Sequence, residues 1–253
     1  MIKISVCMAT YNGEKYIIEQ LDSILKQLKD EDEIIISDDG STDKTIELIN
    51  SINDSRIKIV INEKKHGYTS NFYNCLKYAN GDYIFLSDQD DIWLPQKVEK
   101  TMEYLKVYDF VVSDAVEVDA KLQTIKESRF ESYKVKRGFI TNLCRSRYIG
   151  CCMAFNKNVL NSLYPVPSYK NDYPHDLWIS LIAEKYFNTA LIREPLILYR
   201  RHGKNESNGG DSKNNNRKLS QKIKSRFYYI KYVYKQRDII RRKKGLKIWM
   251  FYL

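Results

Sequence analysis

Directly after the apolar run Tyr83–Ser87 the chain sets Asp88, Gln89, Asp90 and Asp91 in succession, three carboxylates and an amide. Charges of one sign held so close repel. The segment is therefore a solvated loop or a helix cap ahead of Pro95, or it holds something positive. Two carboxylates spaced by two residues can face one ligand from a tight turn. Hard cations such as Mg²⁺ or Mn²⁺ take oxygen ligands of this kind, and Mg²⁺ typically adds substrate phosphates to one or two carboxylates. A second acidic set, Asp38-Asp39-Gly40-Ser41, has the ordinary composition of a turn that opens a helix. Its chemical alternative is a carboxylate that accepts a hydrogen bond from a ligand's imide N–H.

The elements around these sets decide where they lie. Ile2 to Met8 reads as a buried strand, followed from Asn12 by a helix with Ile17, Leu21, Ile24, Leu25 and Leu28 at helical spacing. Residues 33–37 and 56–62 read as further strands, with helices after each. Tyr83 to Ser87 is a fourth strand, Pro95 opens a helix to about Tyr108, and DFVVSDAVEV is a fifth strand. Strands alternating with helices predict βαβ units and a largely parallel sheet. Ligands of such sheets bind beyond the carboxyl ends of the strands, where both acidic sets fall. Later segments read as strand then helix in GCCMAFNKNVL, helix in HDLWISLIAEKYF and strand in EPLILYRRH, while SRFESYKVKRG reads as irregular.

At 253 residues the chain suits one large domain, or one domain with a tail. No apolar run reaches the roughly 18 residues of a spanning helix. The start lacks the charged and apolar regions of a signal peptide, which predicts a cytosolic protein. The five cysteines are odd in number and lack zinc-site spacing, so they read as reduced thiols. The net charge of +10 is uneven: residues 211–253 hold 14 Lys/Arg against 2 Asp/Glu, and the remainder 28 against 30. A near-neutral body argues against a nucleic-acid partner.

Four segments, SVCMATYNGEKYIIEQLDSIL, IIISDDGSTDKT, NEKKHGYTSNFYNCL and GDYIFLSDQDDIWLPQKV, stand in the order and spacing of family 2 glycosyltransferases. The chain resembles that family closely over residues 1–110 and more loosely to about 205. SDQDDIW, GCCMAFN and PHDLW resemble its bacterial rhamnosyltransferase branch. The resemblance implies an α/β fold of the GT-A nucleotide-diphospho-sugar transferase type, a Rossmann-like, mostly parallel sheet flanked by helices, here with a C-terminal basic helical tail. It implies a GT-A domain over 1–205, with 1–110 as nucleotide-sugar half and 111–205 as acceptor half. A polar linker over 206–216 and a basic, aromatic-rich helical tail over 217–253 follow from composition.

Carried over by position, the resemblance implies that Tyr11 stacks on the nucleobase in a pocket lined by Ala9 and Thr10. Asp39 would accept from the base imide, with Asp38 beside it. Gly67 and Asn71 match the family's N-x-G-x-x-x-N turn. Asp88, with Gln89 beside it, would lie near ribose and diphosphate, and Asp90 would be the principal ligand of Mn²⁺ or Mg²⁺. His202 would complete the metal shell, and Arg200 or Arg201 would meet the diphosphate. Asp176, where the family commonly has an acidic pair and this chain has His175-Asp176, would be the general base of an inverting transfer; alternatively it favours a helix N-terminus. Trp93 and Trp178 are open between the acceptor side and the core.

The implied activity is metal-dependent transfer of a sugar from a nucleotide diphosphate donor, dTDP-rhamnose or a UDP-hexose, to a lipid-linked bacterial surface glycan. The alternatives are a non-catalytic nucleotide-sugar-binding partner in polysaccharide synthesis and a sugar-nucleotide nucleotidyltransferase. The second lacks its Gly-rich basic loop at TYNGEKY. The basic tail either lies on the inner face of an anionic membrane or packs on the domain.

Overall fold

A computed structural model of the protein describes residues 3–63, 66–167, 174–202 and 219–243. Its first half alternates as the sequence predicts: β1 (Ile4–Thr10), α1 (Ile17–Leu25), β2 (Glu33–Asp38), α2 (Thr45–Ser51), β3 (Ile57–Ile61), α3 (Tyr68–Lys77) and β4 (Tyr83–Asp88). β5 (Ile92–Trp93), α4 (Lys97–Leu105), β6 (Phe110–Val118), β7 (Thr124–Lys126), α5 (Arg129–Tyr133) and α6 (Phe139–Arg145) follow. After a 3₁₀ turn at Gly150–Cys152 come β8 (Met153–Asn156), α7 (Lys157–Ser162), α8 (His175–Tyr186), β9 (Thr189–Arg200) and α9 (Leu219–Lys243).

All the strands join one sheet in the order β3-β2-β1-β4-β8-β6-β9-β5, with β7 on β6. β1 is parallel to both β2 and β4, and β2 to β3. β8 runs against both β4 and β6, so β6 runs with β4, and β9 is parallel to β6. The sheet is thus mostly parallel, with the short β5, β7 and β8 reversed. β2 is buried at every position, and Val6, Cys7 and Met8 in β1 are fully buried. Continuous apolar runs of that kind suit strands covered on both faces.

The chain leaves β1 toward β2 on one side and finds β4 on the other. That reversal of strand order opens a crevice at the carboxyl ends. Register fixes what lines it: Ala9 pairs with Ser37 and Asp88, and Thr10 with Asp38. β1 therefore extends past Met8 because Ala9 and Thr10 have partners on the neighbouring strands.

SRFESYKVKRG is more ordered than its composition predicts. Ser128 accepts from Glu131 N–H at 3.1 Å and caps α5, and Arg129 forms a buried ion pair with Glu117. Trp93 and Trp178 are 2% and 0% exposed, which settles both as core residues. The linker 206–216 lies outside the described residues.

α9 packs on α6, α7 and α8. Tyr229, Val233, Gln236 and Ile240 form its buried stripe, and Gln236 Nε2 donates to the Ser162 and Tyr164 carbonyls at 2.7 Å each. Among the described residues no helix is long and apolar enough to cross a membrane.

Candidate active site

At the end of β2 the carboxylates are built into the backbone. Asp38 accepts from Gly40 N–H (2.9 Å), Ser41 N–H (2.8 Å), the Ser41 hydroxyl (2.5 Å) and the Thr10 hydroxyl (3.1 Å). This is the Asx-type turn that the sequence composition allows. Asp39 is buried and accepts from Asn62 Nδ2 and from Gly67 N–H, both at 2.7 Å, while its own N–H donates to the Thr10 carbonyl. Asn71 Nδ2 donates to that same carbonyl at 3.0 Å. Gly67 and Asn71 thus hold Asp39 and Thr10 from behind. Tyr11 is 49% exposed, and its backbone is fixed at both ends by Gln89, which accepts from Tyr11 N–H (2.9 Å) and donates to its carbonyl (3.0 Å). A Cβ at residue 13 would come within 2.4 Å of Gln89 Oε1, so glycine there is what lets the amide in. The result is a rigid backbone carrying an open aromatic face beside Thr10 and Asp39.

The end of β4 is built differently. Asp91 is buried; Oδ1 accepts from Arg200 N–H at 3.0 Å, and Oδ2 has no hydrogen-bond partner among the described residues. Oxygens of Asp88 and Asp91 and the Cys151 sulfur lie within 4.8 Å of one another. Burial first, and then the charge of Asp90, raise the Asp88 carboxyl to about 7; burial and the same neighbour push Asp91 well above the usual carboxylate range. Asp90 Oδ2 lies 2.7 Å from His202 Nε2. The His202 ring stacks on Tyr16, with centroids 5.2 Å apart. β9 therefore delivers its end onto the acidic loop, so residues 88 to 91 and residue 202 meet across the sheet.

Arg200 and Arg201 follow at the end of β9. The Arg200 side chain is buried, donating to the Asp90 carbonyl (2.8 Å) and to Glu19 (2.5 Å), with its guanidinium 4.5 Å from the Tyr16 ring centre. It braces the loop from within. Arg201 N–H donates to the Val118 carbonyl, and its side chain turns to Tyr199.

Asp176 stands in the first turn of α8, partly buried, with Oδ1 accepting from Leu177 N–H at 2.7 Å. Burial raises its carboxyl to about 6. Its charge in turn contributes, after burial and Asp90, to the rise at Asp88. The preceding His175 is buried and stacked on Phe72 at 3.9 Å, and both ring nitrogens lack partners among the described residues. Burial drops its pKa to about 3, so it is neutral at physiological pH. A glutamate in that slot would be a buried charge against an aromatic ring. Tyr16, Glu19 and Cys151 also stand at the site; they fall inside the segments that carry the family resemblance, which assigns them no role. Each reaches it by the fold alone.

Oxygen donors with one imidazole, two of the carboxylates raised by burial and then by the charge of Asp90, and one buried acceptor without a hydrogen-bond partner among the described residues, are a donor set that fits a divalent cation. The protein sequence also matches the glycosyl transferase family 2 profile over residues 5–164. It is 31% identical over 204 residues to an uncharacterized glycosyltransferase of Methanocaldococcus jannaschii, covering 78% of this chain and 70% of that one. It is 31% identical over 212 residues to the dTDP-rhamnosyl transferase RfbG of Shigella flexneri (79% and 73%). To an Escherichia coli UDP-Glc:α-D-GlcNAc-diphosphoundecaprenol β-1,3-glucosyltransferase it is 29% identical over 184 residues (72% and 70%). Among solved structures, S. aureus TarS 1–349 with UDP superposes with a TM-score of 0.65 at 20% identity, over 79% of this chain and 61% of TarS. A Pyrobaculum calidifontis mannosyltransferase with GDP-Man and Mn²⁺ gives 0.56 at 19% identity, over 78% and 56%. The chain thus spans less than two thirds of either structure, and the shared feature is the GT-A fold. The chain is a glycosyltransferase and belongs to family 2.

Proposed function

We propose that the protein transfers a sugar, with inversion, from a nucleotide diphosphate donor to a bacterial surface glycan. The observation that carries this reading is the meeting of Asp88, Asp90 and His202 at the carboxyl end of β4, one strand from the Tyr11–Asp39 pocket. In this reading the base stacks on Tyr11 and its imide donates to Asp39. Thr10 and Ala9 form the pocket floor, and Gln89 keeps Tyr11 in place. Asp90, His202 and Asp88 would hold Mn²⁺ or Mg²⁺, which when bound balances the carboxylates and stabilises charge on the departing diphosphate.

Asp176 takes the proton of the acceptor hydroxyl. The acceptor oxygen forms its bond to the anomeric carbon as the bond from that carbon to the diphosphate oxygen breaks. The electron pair leaves with the nucleoside diphosphate. A carboxylate raised to about 6 is a better base than an ordinary aspartate and is still ionised at neutral pH. The names of the Shigella and E. coli relatives support dTDP-rhamnose or a UDP-hexose as donor and a lipid-diphosphate-linked acceptor.

Such an acceptor would place the protein at the cytoplasmic face of a membrane. The face of α9 that carries exposed Ile223, Phe227 and Tyr234, flanked by Lys224, Lys231 and Lys235, suits contact with an anionic surface. The test is release of nucleoside diphosphate from a panel of nucleotide sugars with a lipid-diphosphate-linked acceptor, in Mn²⁺, Mg²⁺ or EDTA. Metal-dependent release from one donor is expected. Release that is equal in EDTA would remove the metal from the reading. No release from any donor, together with no nucleotide binding, would overturn the donor assignment.

A further inference from the structure

The far end of the sheet carries a second constellation. From Arg200 back to Leu191, β9 covers about 25–30 Å at the usual strand rise. There a cavity of about 340 Å³ opens between α4, the segment before α6 and the start of β9. Lys136, Arg137 and Arg193 line it with Tyr104 and Tyr108, and Val135 forms part of its wall.

Among the described residues no carboxylate lines this cavity, and none of the three cations forms an ion pair. The nearby acids are committed elsewhere. Glu184 accepts from Gly138 N–H (3.0 Å) and from the Tyr148 hydroxyl (2.7 Å), and Glu194 bridges Lys100 (3.2 Å). Arg137 Nε is anchored on Thr189 Oγ1 at 3.0 Å.

Backbone irregularity puts Arg193 there. β9 pairs Ile192 with Ser113 of β6, but the next pair is Pro195 with Asp114. Arg193 and Glu194 are therefore extra residues with no partner on β6. Bulges of this kind re-aim side chains, and they gather beside functional sites. This one lines the cavity with Arg193 and gives Glu194 to α4.

We propose that this cavity is a second ligand site, which binds a phosphate-bearing anion away from the transfer centre. Two guanidinium groups and an ammonium match phosphate oxygens in charge and in bidentate geometry. The volume lies at the small end of ligand pockets, enough for a phosphate or diphosphate group with a short body against the tyrosine rings. Its distance from Asp90 separates it from the reacting diphosphate. The occupant therefore anchors or modulates the enzyme, and it is either an anionic lipid headgroup or a free phosphate ester.

The experiment is calorimetric titration of the full chain with inorganic pyrophosphate in EDTA, which withholds metal from the transfer centre. Saturable binding is expected. Arg137→Ala/Arg193→Ala should weaken it by about tenfold or more, the equivalent of one lost charge-assisted contact. Lys136→Ala/Arg193→Ala, which spares the Arg137–Thr189 bond, should do the same. Lys29→Ala/Lys157→Ala removes two exposed charges elsewhere and should leave affinity unchanged. No saturable binding, binding that survives both cavity variants, or an equal loss in the control would overturn the site. Displacement of pyrophosphate by phosphatidylglycerol vesicles, and not by phosphatidylcholine vesicles, would support the site with a headgroup as occupant. Binding without displacement would support it with a soluble phosphate ester.

Discussion

Two acidic clusters flank β1, one at the end of β2 and one at the end of β4, and they balance their charge in opposite ways. At β2 the protein supplies its own donors: four reach Asp38, and two reach the side chain of Asp39. At β4 three carboxylates crowd one loop. Asp88 and Asp91 lie beside the Cys151 sulfur, and both are pushed up by burial and by Asp90. The first cluster is held in place by the protein's own donors. In the function proposed above, a cation balances the second. Folding has fixed the shape of one and left two carboxyls of the other raised, the electrostatic condition on which the proposed divalent site rests.

The sharpest way to break that contrast is to remove the charge that would hold the cation. Asp90→Asn should abolish the divalent-dependent rise in melting temperature produced by a nucleoside diphosphate, an effect worth about 2.7 kcal/mol at a ligand concentration 100 times the dissociation constant. An undiminished rise would remove Asp90 as the ligand and move the site to Asp88, Asp91 and Cys151.

Asp176 extends the contrast to the acceptor side. Asp176→Asn should cut transfer by about 10²-fold or more and leave the thermal shift with donor intact. The wild-type kcat/KM should rise with pH through about 6, because the base works deprotonated and burial holds its proton to that value. A rate that is flat from pH 5 to 8 would leave Asp176 as a helix N-terminal charge alone.

At β2 the expected damage is to the fold. Asp38→Ala strands the Gly40 and Ser41 N–H donors and should lower stability by about 2–3 kcal/mol in urea unfolding. A loss below 0.5 kcal/mol, on the order seen at ordinary surface positions, would show that this cluster is no more built-in than the other.

The parallel half was readable from sequence because buried parallel strands leave long apolar runs, and Gly- and Asp-rich turns mark where they end. Both acidic clusters could be placed at strand ends for that reason. The second half hid its structure in tertiary pairing. β5 has two residues and β7 three, too short for any periodicity. α5 depends on the Ser128 cap and the Arg129–Glu117 pair. Arg200 could be seen as a cation near a strand end, but a partner 181 positions away in sequence, Glu19, directs it inward. Cys151 reads as one of two adjacent buried thiols, and only the sheet shows that its sulfur faces Asp88 and Asp91.

The smallest effect is also the one whose sign separates the clusters most cleanly. Asp88→Asn keeps the shape of the side chain and removes the charge that burial and Asp90 oppose. In EDTA the variant should be more stable than the wild type by about 1 kcal/mol at pH 7.5, well under the full equivalent of the shift, because Asp88 is only partly buried. The wild-type carboxyl is raised to about 7, so the folded state holds its proton more tightly than the unfolded chain, where the value is near 4. The penalty is therefore absent below about pH 4, grows as pH rises, and is complete above about 7. Guanidinium unfolding of both proteins at pH 4, 5.5 and 7.5 reads it directly. With Mn²⁺ and nucleoside diphosphate present the order should reverse, because the ionised Asp88 then has a partner. A variant less stable than the wild type at pH 7.5 in EDTA would mean that the β4 cluster, like the one at β2, is already balanced by the protein itself.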